Sequence, residues 1–137
     1  MSKIQEFLKN QEKSVMSSVE GKTIIDYFNN NAEEFPEYPA LNTPINSEYT
    51  GWDSVSWSAY RETVHNLAAG LIDIGLQVED NAFIVANNVK EHFICDLGIM
   101  HAGAVPSTIY KQLKSGQIEY ISNLLEAKVA FVGDAEL

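Results

Sequence analysis

The chain has a single cysteine, Cys95, among 137 residues. No internal disulfide can form, a zinc site built from cysteines is excluded, and a reducing compartment is the expectation. Long apolar runs are also missing, since nothing approaches the roughly 20 consecutive apolar residues that a membrane-spanning helix needs. The opening MSKIQEFLKNQEKSVMSSVEGK has neither the apolar core nor the small-residue cleavage site of a secretory leader. A cytoplasmic location is therefore expected. Positive charge is scarce: nine basic residues face nineteen acidic ones, for a net charge of −10. Such a chain repels phosphate backbones and anionic headgroups, so neither nucleic acid nor a membrane surface is an expected partner. Glycine-rich phosphate loops are absent as well. No GxGxxG follows a strand pattern and no GxxxxGK[ST] occurs, so nucleotide binding by this chain alone is not expected.

What is present is the composition of a folded domain, with 45% hydrophobic and 10% aromatic residues and a length that suits one core. Residues 1–22 hold four lysines and three glutamates, so the excess acid belongs to the remainder, which carries −11. Ile4, Phe7, Leu8 and Val15 follow helical spacing and make residues 1–22 an amphipathic N-terminal arm, packed on its own domain or available for oligomer contacts. Thr23 and Asp26 form a capping pattern for a helix bearing Ile24, Ile25, Tyr27 and Phe28 and ending at Phe35-Pro36. ALNTP and DSVSW then read as a hairpin, with Tyr49, Trp52 and Trp57 packed over it.

Ser58 is the expected N-cap of the next helix, in which Tyr60, Val64, Leu67, Ala68 and Leu71 share a face and Gly75 supplies the stop. AFIVA reads as a central parallel strand. Asn87-Asn88 opens a helix over about Val89–Ala102, VPSTIY is a second strand, Ser115 caps a helix with Ile118, Ile121, Leu124 and Leu125, and KVAFVGD is a third strand. This alternation implies right-handed crossovers. The expected fold is α/β: three layers, a mostly parallel sheet with helices on both faces, preceded by an N-terminal helix and a small β-hairpin.

Few residues suggest chemistry. Ligands of such a sheet sit beyond the carboxyl ends of the strands, here Asn87-Asn88, Tyr110-Lys111 and Gly133-Asp134. His92 and His101 are nine residues apart, on roughly opposite sides of a helix, and cannot share a metal. His65 reads as a surface or edge histidine without a partner nucleophile. The pairs Glu33-Glu34 and Glu79-Asp80 read as solvated faces, and Asp96, inside an apolar stretch, as a polar stripe or a partly buried acid. No catalytic, cofactor-binding or metal residue is assigned.

Several phrases in order, TIIDYFNNNAEEFPEYPAL, LAAGLIDIGL, AGAVPSTIY and QIEYISNLLEAKVAFVGD, resemble the N-terminal part of AMP-forming acyl-CoA synthetases, most of all bacterial long-chain fatty-acid ligases. The likeness covers about residues 23–134. Glu79-Asp80-Asn81 stands where the family usually has Gly-Asp-Arg, and Pro106-Ser107-Thr108 where it often has Pro-Val-Pro. The resemblance implies a complete enzyme that makes an acyl-adenylate from ATP and passes the acyl group to coenzyme A, with Mg²⁺. Its Ser/Thr/Gly-rich loop, ribose-binding aspartate and catalytic lysine all lie beyond the matched region. Residues 23–137 are thus expected to be an incomplete N-terminal subdomain, inactive alone and partnered by the rest of the ligase domain or by itself through exposed apolar surface. The alternatives are a free-standing protein-interaction module with a ligase-like fold and a small acyl- or nucleotide-binding protein.

Overall fold

A computed structural model describes residues 2–133 of the chain. Its first two helices, α1 (Lys3–Val19) and α2 (Ile24–Glu34), open with the same device. Gln5 Oε1 accepts the Ser2 N–H at 2.9 Å while Ser2 Oγ accepts the Gln5 N–H at 3.3 Å. In α2 the Asp26 carboxylate accepts the Thr23 N–H at 2.6 Å and Thr23 Oγ1 accepts the Asp26 N–H at 3.3 Å. Each exchange satisfies two backbone donors that helical geometry leaves free. The hydrogen bonds from Thr23 also hold the Asp26 carboxyl below its usual range.

No residue of α1 is buried. The Tyr27 hydroxyl, from α2, donates to the Ser18 carbonyl at 2.6 Å. In α2 itself only Phe28 and Ala32 are buried, while Ile24 remains 61% exposed. The apolar side expected from Ile24, Ile25, Tyr27 and Phe28 is therefore narrower, with Ile24 and Tyr27 left exposed.

Strands β1 (Pro39–Pro44) and β2 (Trp52–Ser56) pair antiparallel, with Ser54 opposite Asn42. The aromatic layer expected over this hairpin does not form as one unit. Tyr49 and Trp52 are exposed and touch each other, with ring centres 6.2 Å apart. Trp57 instead begins α3 (Trp57–Asp73) and packs against Phe28 and Tyr60. The physical reason is the cap: Ser56 Oγ, not Ser58, accepts the Ala59 N–H, so the helix starts two residues earlier than expected. Tyr60, Val64, Ala68 and Leu71 are buried along one face of α3. Gly75, at φ +97°, ends it, and the Leu76 N–H returns to the Leu71 carbonyl at 3.0 Å.

Strand β3 (Asn81–Val85) lies between β4 (Val105–Thr108) and β5 (Val129–Val132), and both pairings are parallel. This confirms the central parallel strand expected for AFIVA. The connections are α4 (Lys90–His101) and α5 (Ser115–Leu125). The chain moves one way from β3 to β4, then back across β3 to β5, so right-handed crossovers place α4 and α5 on opposite faces. Asn87-Asn88 stays in the turn before α4, whose N-cap is Val89 without a side-chain cap, and Ser115 is the first residue of α5 rather than its cap.

The two faces of the sheet are unequal. On one, Ala82 and Ile84 are buried against Ala68, Leu71, Leu76, Ile99 and Ala102. A neighbouring cluster of Phe28, Tyr60, Val64 and Leu97 ties α2 and the hairpin to α3 and α4. On the other face α5 buries no residue, and Leu124 and Val132 are 70% and 57% exposed. Close approach of α3 and α4 requires Gly98, because a Cβ there would stand 2.6 Å from Leu67 Cδ2 and 3.3 Å from Leu67 Cβ. Gly98→Val is expected to destabilise the domain by about 1–3 kcal/mol through overpacking. Urea denaturation measures this, and adding Leu67→Ala to Gly98→Val should recover part of the loss if the clash is at that contact.

Candidate functional site

The carboxyl ends of β3, β4 and β5 form one edge of the parallel sheet, where open α/β sheets place ligands. Beyond β3 and β5 lies a cavity of about 410 Å³ whose walls include Ala86, Val89, His92, Cys95, Phe131 and Gly133. Gly133 closes toward β3: its N–H donates to the Val85 carbonyl at 2.9 Å, and a Cβ on it would come within 2.9 Å of Ala86 Cβ. Any side chain at 133 would push the strand ends apart. Of the turns singled out from the sequence, Asn87-Asn88 and Gly133 do flank this edge. Tyr110 follows β4 and is 68% exposed, whereas Asp134 lies outside the described residues.

Two side chains at the edge were not expected there, His92 and Cys95, both from α4. His92 Nε2 lies 3.1 Å from Thr108 Oγ1 and so joins the helix to the end of β4. Cys95 is half-buried, and burial, helped by the charges of Glu91 and Asp96, pushes its thiol pKa up. The thiol therefore stays protonated at neutral pH, the opposite of what a nucleophilic cysteine needs. The signal that could have found this pair is their i, i+3 spacing, which gives them one face of the helix that follows a central strand.

The other candidates fall elsewhere. Glu33 faces Arg61 at 3.6 Å, and Asp80 accepts the Gln77 N–H at 2.8 Å in the turn before β3, while Glu79 sits at φ +70°. Glu33 therefore acts in surface pairing, and Glu79 and Asp80 in turn geometry. His65 is exposed, as expected, yet the fold brings it next to His101, with ring centres 5.1 Å apart, a proximity across two helices that no sequence spacing reveals. Burial, the neighbouring His101 and Arg61 lower the His65 pKa. The His101 Nδ1–H donates to the Leu97 carbonyl at 2.8 Å. Asp96 points to a different cavity, on the α2 side of α4. Among the described residues no three His, Cys, Asp or Glu side chains converge to hold a metal ion. The residues present do not fit an Mg²⁺ site, and none is assigned to one. The edge offers an apolar wall, the His92 imidazole, the Cys95 thiol, the Glu91 carboxylate and, at the end of β4, the Thr108 hydroxyl.

Comparison with known proteins agrees with this architecture. A family model described as AMP-binding enzyme matches residues 28–137. The chain is 28% identical over 129 residues to the long-chain-fatty-acid–CoA ligase heimdall of Drosophila melanogaster, covering 93% of this chain and 19% of that protein. It is 29% identical over 107 residues to an uncharacterized protein of Mycobacterium tuberculosis, covering 78% and 58%. It is 28% identical over 117 residues to the vibriobactin-specific 2,3-dihydroxybenzoate-AMP ligase of Vibrio cholerae, covering 84% and 20%. In fold it resembles the N-terminal subdomain of Klebsiella oxytoca NpsA, with a TM-score of 0.70 at 21% identity over 82% of this chain and 28% of that one. The chain thus spans about a fifth of the two named ligases and over half of the mycobacterial protein.

Because burial raises the Cys95 pKa, the thiolate fraction is below that of a free thiol at every pH beneath the shifted value. Alkylation by iodoacetamide at neutral pH should be slower than for free cysteine, and its pH profile should rise at higher pH. A profile rising below that of free cysteine would contradict the assignment of Cys95 as an inert thiol.

Proposed function

We propose, from the premise that this chain belongs to the AMP-binding enzyme family, that it is the N-terminal scaffold of a long-chain fatty-acid–CoA ligase. The observation that carries this reading is the unequal sheet: a parallel β4-β3-β5 core packed by α3 and α4 on one face and thinly covered by α5 on the other. Such a unit positions strand ends and still has apolar surface for further chain to cover. In the complete enzyme a fatty carboxylate attacks the α-phosphorus of ATP, forming an acyl-adenylate and releasing pyrophosphate. The thiol of coenzyme A then takes the acyl group, and AMP leaves. ATP, Mg²⁺ and coenzyme A are held by segments outside this sequence, because its strand-end turns lack the glycine-rich backbone that receives phosphates. Residues 23–133 contribute the fold and, at the strand ends, an apolar wall. The fatty-acyl preference rests on the Drosophila relative and on that wall, in which Val89 and Phe131 take part. A cytoplasmic location accords with a single cysteine that has no partner for an internal disulfide.

The chain by itself is expected to catalyse no pyrophosphate–ATP exchange with palmitate or with 2,3-dihydroxybenzoate. Supplied in trans to the remaining part of a long-chain ligase, it should support exchange with palmitate. Exchange by the chain alone would overturn the scaffold role, and restored exchange with dihydroxybenzoate but not palmitate would overturn the fatty-acyl assignment.

A second reading, a free-standing interaction module, is favoured by one observation: the mycobacterial relative is itself more than half covered by this chain. The two readings differ in self-association. A scaffold with Val105, Tyr120, Leu124 and Val132 exposed should associate with rising concentration in light scattering, and Leu124→Glu with Val132→Glu should return it to a monomer. A wild-type chain that stays monomeric at all concentrations favours the module.

A further inference from the structure

A second cavity, of about 290 Å³, lies between α2, the hairpin, the start of α3 and the outer flank of α4, away from the strand-end edge. Its wall is aromatic, with Tyr27, Phe28, Trp57, Tyr60 and Phe93, and it contains one acid, Asp96. Three of the rings are in mutual contact, since Phe28 stands edge-on to Tyr60 at 5.0 Å and lies 6.0 Å from Trp57. Phe28 and Tyr60 are buried, whereas Tyr27, Trp57 and Phe93 remain partly exposed and offer the electron-rich faces against which cations settle.

Among the described residues Asp96 forms no ion pair. The two ion pairs among the described residues, Arg61–Glu33 and Lys90–Asp53, commit the nearby cations elsewhere. His92, one turn earlier on α4, is engaged with Thr108. Burial raises the Asp96 pKa against the opposing charge of His92, and burial together with the Asp96 charge pushes the Tyr60 hydroxyl, which lines the same cavity, up to about 12. An unpaired carboxylate in a partly dry site is costly, and a cation beside it removes that cost.

We propose that this aromatic groove binds a small organic ammonium ion, its positive head beside Asp96 and its apolar body against the rings of Phe93, Trp57 and Tyr60. The site is independent of adenylate chemistry and of whatever lies at the strand ends. Charge and shape both select the occupant: an anion meets Asp96, a metal ion finds one carboxylate among hydrocarbon walls, and a neutral aromatic molecule leaves the carboxylate unpaired.

The test uses the chain with Trp52→Phe, so that Trp57 is the only indole reporter, and follows its fluorescence during titration with benzyltrimethylammonium, benzyl alcohol and benzoate. The expected result is a saturable change with the ammonium ion, binding of benzyl alcohol weaker by about tenfold or more, and no binding of benzoate. Asp96→Asn should weaken the ammonium ion by about tenfold while leaving the melting temperature equal or higher, since it removes an uncompensated charge. Phe93→Leu, at a half-exposed position, should lower the preference for ammonium over alcohol and so provides a readout independent of Asp96. Equal affinity for ammonium and alcohol, an unchanged affinity in Asp96→Asn, or no saturable change with the ammonium ion would each overturn the proposal.

Discussion

The seam between α3 and α4 is the contact on which the remaining elements depend. Leu67 settles against the bare backbone at Gly98, and this approach lets Ala68, Leu71, Ile99 and Ala102 close over Ala82 and Ile84. The same helix pair carries Val64 and Leu97 into the second cluster, where Phe28 and Tyr60 fix α2 and the hairpin. A bulkier residue at 98 would spread both clusters at once, because well-packed interiors cannot absorb an added methyl group without moving their neighbours. The seam also sets the chemistry on either side of α4. It turns His92 and Cys95 toward the strand ends and Asp96 toward the aromatic groove.

Electrostatics and packing divide the molecule in different places. The body carries all of the acidic excess, yet several of its acids serve local structure: Asp26 caps α2, Asp80 shapes the turn into β3, and Glu33 pairs across to α3. Asp96 is the exception, half-buried at the aromatic groove and in no ion pair among the described residues. Long-range repulsion of polyanions follows from the net charge, whereas the selectivity proposed for the groove follows from one partly buried carboxylate beside aromatic rings.

Much of this fold is legible in the sequence because the signals are local. The capping pair Thr23 and Asp26, the helical face Tyr60–Val64–Ala68–Leu71, the stop at Gly75 and the continuous apolar run of β3 each follow from a few neighbouring residues, and each appears in the structure. The errors arise where two local signals compete. Ser56 and Ser58 are both competent caps, and Trp57 decides between them because only the earlier start carries its ring onto Phe28. Asn87-Asn88 looks like a helix start but remains in the turn that leaves β3. The site was less legible. The edge turns could be located from strand order, but His92 beside Thr108, His65 beside His101, and Asp96 within an aromatic wall are contacts between elements, and no spacing along the chain encodes them.

An unequal sheet is the physical core of the functional reading, and amide hydrogen exchange of the chain alone tests it most directly. Amides of β3, α3 and α4 should be the slowest to exchange, whereas those of α5 should exchange far faster and gain protection when the remainder of a long-chain ligase is added in trans. Protection of α5 equal to that of α4 in the isolated chain, unchanged by the added segment, would show that both faces are already closed and would contradict the account.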